Sequence, residues 1–126
     1  PRLIIKVGLL PSHIKEVVGM LPKLTQPLGY PGVVADVGFG SIQLSWSGTE
    51  LLREDTILLV QRMVENLRKS LKSMNGTVIV ERCPLQVKAK LSVWGDDPEG
   101  IEIMRRIKYE LDPGCTFNAG RFIGGI

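Results

Sequence analysis

The chain offers little of the chemistry that metals and nucleophilic catalysis need. It holds one histidine, His13, and two cysteines, Cys83 and Cys115, 32 positions apart. No CxxC, HxxxH or HExxH spacing occurs, so the usual zinc arrangements are excluded. A Ser-His-Asp or Cys-His arrangement would have to recruit His13, which lies near a predicted helix start with no nucleophile motif beside it. GxGxxG after a strand and GxxxxGK[ST] are both missing, so no loop is built to cradle a nucleotide phosphate. Apolar stretches are broken by charge or proline, and none is long enough to cross a bilayer as a helix. The balance of 16 Lys+Arg against 13 Asp+Glu leaves a net charge of +3, too weak to mark a nucleic-acid partner. Two cysteines without a required pairing fit a reducing, cytoplasmic compartment.

What is present fits a globular chain. Its 126 residues are 44% hydrophobic and 23% charged, close to the average of folded domains and sufficient for one real core. The chain begins at Pro1, inside an apolar run and without Met, which predicts a piece of a longer protein.

Arg2–Leu9 is rich in Leu, Ile and Val and reads as a buried strand. Ser12 offers an N-cap oxygen, and Ile14, Val17, Val18 and Leu21 follow at the spacing of one helical face. Pro22 is expected to end that helix or to follow closely on its end. Val33–Phe39 and Ser41–Trp46 alternate on either side of Gly40 and predict a hairpin with one face buried, with Gly38 and Gly40 free to take positive φ. A long helix is expected from between Glu50 and Asp55 to about Met74. Its stripe is Val60, Met63, Val64, Leu67, Leu71 and Met74, and Asn75-Gly76 stops it. Thr77–Arg82 reads as a fourth strand.

Strand, helix, strand, strand, helix, strand is an α+β order. It predicts a ferredoxin-like βαββαβ antiparallel sheet with both helices on one face, over residues 1–84. Residues 85–126 then form an extension. Leu85–Trp94 alternates and predicts a fifth strand. Asp97 as N-cap and Pro98 as first residue open a short helix to Leu111, with Ile101, Met104, Ile107 and Leu111 inward. Asp112-Pro113-Gly114 stops it, and a Gly-rich tail follows.

The segment MRRIKYELDPGCTFNAGRFIGGI (104–126) resembles the C-terminal signature of FAD-linked oxidases of the vanillyl-alcohol oxidase superfamily. The residues that carry the resemblance are Arg105, Arg106, Lys108, Asp112, Pro113, Asn118, Gly120 and Arg121. Val93-Trp94-Gly95 and the ending Arg121–Ile126 are similar to one branch, the FAD-binding subunit of glycolate oxidases. Ala119 stands where the family usually has proline, and Cys115 where it has a small or aliphatic residue.

The resemblance implies a substrate-side cap domain with a return segment that meets an FAD-binding domain of the same parent chain. It implies FAD in the full-length parent, a 2-hydroxy acid as substrate, and other glycolate oxidase subunits, an iron-sulfur subunit among them, as partners. Peripheral membrane association would come through that complex. Alone, the segment is expected to be inert and to bind no FAD. Asn118 and Arg121 are the candidates to face the cofactor, Arg82 is the candidate for substrate, and no residue is assigned to catalysis or to a metal.

The plain readings stand beside these. Arg105, Arg106 and Lys108 can be a solvated helix face, Asn118 a residue tolerant of a left-handed turn, and Arg82 a strand-end surface arginine. Cys83 and Cys115 are expected as free thiols. Apolar Phe117, Phe122, Ile123 and Ile126 in a glycine-bearing tail either fray or bury themselves on a second copy, giving a homodimer. The alternative function is a stand-alone ferredoxin-like module for a small ligand or RNA. RNA binding would want aromatics such as Phe39 and Trp46 on the open sheet face.

Overall fold

The computed structural model describes all residues from Pro1 to Ile126. The chain divides into two compact units, Pro1–Val93 and Trp94–Ile126. The first unit thus takes in residues 85–93, which the sequence pattern assigns to the extension.

In the first unit four strands run β1 (Arg2–Gly8), β2 (Gly32–Asp36), β3 (Ser41–Ser47) and β4 (Thr77–Arg82). Helix α1 (Ile14–Leu24) connects β1 to β2, and α2 (Glu54–Lys72) connects β3 to β4. The sheet order is β2-β3-β1-β4, and every neighbouring pair is antiparallel. This is α+β architecture with the interlocked βαβ halves of a ferredoxin-like fold, as expected.

Alternation places Leu3, Ile5, Val7, Ile42, Leu44, Val78 and Val80 on one face, all buried. Against them pack Ile14, Val17 and Leu21 of α1 and Val60, Met63, Val64, Leu67 and Leu71 of α2, in one continuous core. The opposite face carries Arg2, Lys6, Gln43, Ser45, Ser47 and Glu81, all exposed.

Several local expectations are corrected. Ser12 does not cap α1: Pro11–His13 form a 3-10 turn, and no side chain bonds the first amides of α1. Pro22 does not end α1, which runs on to Leu24. The proline falls so near the end that only one turn is weakened. Thr25, fully buried, closes the helix by donating both N–H and Oγ1–H to the Leu21 carbonyl, each at 2.8 Å.

Strand β2 stops at Asp36, not Phe39. Asp36 Oδ1 accepts the Phe39 N–H (3.1 Å) and folds Val37–Gly40 into a turn, leaving Phe39 exposed. Gly40 supplies the positive φ (68°), whereas Gly38 does not adopt one. A Cβ at Gly40 would lie against the Leu9 carbonyl, whose strand-end residue is tied to this turn by Leu9 N–H donating to Gly40 O (2.8 Å).

The expected fifth strand does not exist. Pro84 takes an extended conformation and starts a one-turn helix, α3 (Leu85–Lys88), which drops Val87 into the core and leaves Leu85 exposed. Only one ladder-like bond reaches β4, from Val80 N–H to Val93 O (2.9 Å). The segment is instead held by Arg68 of α2. Its guanidinium donates to the carbonyls of Val78 (3.2 Å) and Ser92 (2.7 Å), bracketing β4 and residues 92–93.

In the second unit, α4 (Ile101–Leu111) has Gly100 as its N-cap residue, three positions later than the expected Asp97. Asp97 instead pairs with Arg105 (3.6 Å). The expected inward stripe is also corrected, because α4 buries none of its residues, and Met104, Ile107 and Leu111 are all exposed. Helical periodicity specifies that a helix has an apolar face and leaves open what covers it.

Candidate functional site

The second unit is organised around one carboxylate. Asp112 follows the last turn of α4 and is the only buried residue from Trp94 to Ile126. Its Oδ1 accepts the Thr116 N–H (2.9 Å) and hydroxyl (2.7 Å), and its Oδ2 accepts the Phe117 N–H (3.0 Å). Lys108, one helical turn earlier, places its Nζ 2.6 Å from Oδ2 and also donates to the Phe117 carbonyl (2.6 Å). The Lys108 ammonium first, then the Phe117 and Thr116 donors, hold the Asp112 carboxyl far below the usual carboxylate range.

This knot turns the chain back alongside α4. Cys115 and Asn118 take positive φ, 48° and 49°, as the tight path requires. Arg105 braces the return by pairing with Glu102 and Asp97 and donating to the Gly124 carbonyl (3.4 Å). Trp94 meets Phe122 edge-on with centroids 5.2 Å apart.

The result is a shallow hollow lined by Lys108, Phe117, Asn118, Arg121, Phe122 and Ile126. Asn118 and Arg121 therefore come together, with Arg121 N–H donating to Asn118 O (3.1 Å). Of the three basic residues read as one helix face, Arg105 and Lys108 are internal braces, and Arg106 is exposed. Arg82 belongs to the first unit, exposed at the end of β4, where it lines a separate hollow with Pro1, Arg2, Cys83 and Pro84. His13 stands at the start of α1 with Nδ1 3.6 Å from Glu16.

The aromatics that RNA stacking would need are not on the open sheet face. Phe39 is in the β2–β3 turn, and Trp46 packs on the helix side, donating its indole N–H to Gly29 O (3.0 Å).

Both cysteines are free. Burial pushes the Cys83 thiol up, an effect that nearby Lys88 only partly offsets, while Cys115 is exposed in its turn. Cys115 is therefore expected to be alkylated well before Cys83 at neutral pH, since thiolate fraction and access both set the rate. Peptide mapping after brief iodoacetamide treatment checks this, and equal labelling would contradict the placement.

Sequence reasoning missed the Asp112 knot and the Arg68 bracket. For Asp112 a signal existed: Lys at i−4, Pro-Gly directly after, and Thr at i+4. For Arg68 none did, because its acceptors lie up to 25 positions away.

Comparison with protein-family models, with curated proteins and with solved structures finds no match to this chain.

Proposed function

We propose that this chain is the substrate-side cap, with its C-terminal return segment, of an FAD-dependent oxidase or dehydrogenase of 2-hydroxy acids of glycolate-oxidase type. In this reading it roofs a flavin site held by another domain of the same parent and is inert alone.

One observation carries the proposal beyond the motif resemblance. Residues 94–126 bury a carboxylate and no apolar side chain, while Ile103, Ile107, Leu111, Phe117 and Phe122 stay at least half exposed. A unit whose order is internal but whose apolar groups point outward suits completion by another surface.

The residues present fit a contact at the edge of a flavin cofactor. Arg121 has a guanidinium engaged in no ion pair, and Asn118 beside it offers both donor and acceptor. They would hold the cofactor's rim. When bound in the parent, FAD supplies acceptance of a hydride from the α-carbon. This chain's part is to exclude water, while Lys108 and Asp112 keep the return segment in register.

Two measurements test this. The chain of residues 1–126 is expected to purify colourless and to retain no FAD on gel filtration. The protein expressed from the entire parent reading frame is expected to be yellow, and its flavin band should bleach anaerobically on adding a 2-hydroxy acid such as glycolate. A colourless parent, or one whose flavin ignores every 2-hydroxy acid tried, would overturn the proposal.

A further inference from the structure

We propose that the edge strand β2 is a self-pairing surface through which two copies of this chain join their sheets. This rests on the first unit alone and is independent of the flavin reading.

The two edges of the sheet are treated differently. Beyond β4, residues 92–93 cover the edge, fixed by the Val80–Val93 bond and by Arg68. Beyond β2 there is no further strand, since β3 is its only partner. Strands left open usually carry a lysine, an internal proline or a bulge that blocks pairing. Gly32–Asp36 reads GVVAD and has none of these, and its register with β3 is unbroken. Val34 is 68% exposed at its centre, and Gly32, Ala35 and Asp36 are exposed around it.

The sequence of this edge is complementary to itself. Antiparallel pairing about a two-fold axis at Val34 uses all five residues. It sets Val34 against Val34 of the second copy, Val33 against Ala35, and Gly32 against Asp36. The apolar side chains meet as cross-strand pairs, and the single charge faces a glycine, not its own copy. A two-fold contact of this kind closes at two copies. An unrelated extended peptide would satisfy the same backbone groups without that symmetry.

The experiment is sedimentation of the chain over a wide concentration range, with hydrogen exchange read in parallel. The expected result is a mass rising from 13.9 kDa to twice that value, with slowed exchange confined to 32–36. Val34→Lys and Val34→Glu, on an exposed site, keep the circular dichroism of the parent and each weaken self-association by roughly tenfold. An equimolar mixture of the two restores the dimer, because position 34 lies opposite itself. A chain monomeric at all concentrations would overturn the proposal. So would a dimer that survives either charge, a mixture that stays monomeric, protection falling on 101–126, or growth past two copies.

Discussion

Leu67→Ala is expected to lower the unfolding free energy of the first unit by about 2–5 kcal/mol. Leu67 is fully buried at the middle of the α2 stripe, between Val60, Met63 and Val64 on one side and Leu71 on the other. It lies under the strand residues that form the same core. Truncation removes its transfer free energy and leaves a cavity that the close-packed core around it closes poorly. For a unit of this size the thermal midpoint should fall by about 8 °C or more. Leu58, on the exposed side of the same helix, supplies the control. Leu58→Ala should stay within about 0.5 kcal/mol. Similar losses at both positions would mean that α2 is turned otherwise about its axis.

The second large effect is expected at Asp112. Asp112→Ala removes the acceptor for two amides, a hydroxyl and the Lys108 ammonium at once. The amides of Thr116 and Phe117 should lose more than roughly tenfold in hydrogen-exchange protection, while the first unit's midpoint stays put. Asp112→Asn tests the charge, since it keeps one acceptor oxygen and drops the ion pair.

Acid should act like the substitution. The folded carboxyl titrates below its ordinary value of 3.8, so the unfolded state binds the proton first. The stabilisation is complete above that value and declines as pH falls below it towards the folded one. Protection factors at 116 and 117, followed from neutrality to about pH 2, should fall in step. Protection that rises on acidification would show the carboxylate to be unimportant.

Leu67 and Asp112 also mark what a sequence can and cannot convey. The α2 stripe was legible because seven buried positions repeat at helical spacing within one element, so local periodicity and tertiary burial agree. The central strands were legible for the same reason at period two. Residues 85–94 alternate equally well, yet Pro84 and the pull of Val87 into the core turn the first part into a helix. A period is necessary for a strand, and an available partner edge is what decides. In α4 the stripe was real and its burial was not, since the amount of cover is a property of the surroundings. The carboxylate that folds the 115–121 loop shows only when the atoms are placed.

The sheet order has a consequence for how the chain is made. Of the four strands β1 is translated first, yet it occupies a central position, between β3 and β4. Its last residue, Gly8, pairs with Thr77. The nascent chain therefore carries RLIIKVG with one flank unmatched until β4 has been translated. Contacts so distant in sequence form late. Throughout that interval β1 is a sticky, half-dressed strand, the kind of segment chaperones shield. Codons that slow translation between α2 and β4 should lengthen the exposure, and faster ones should raise the soluble yield.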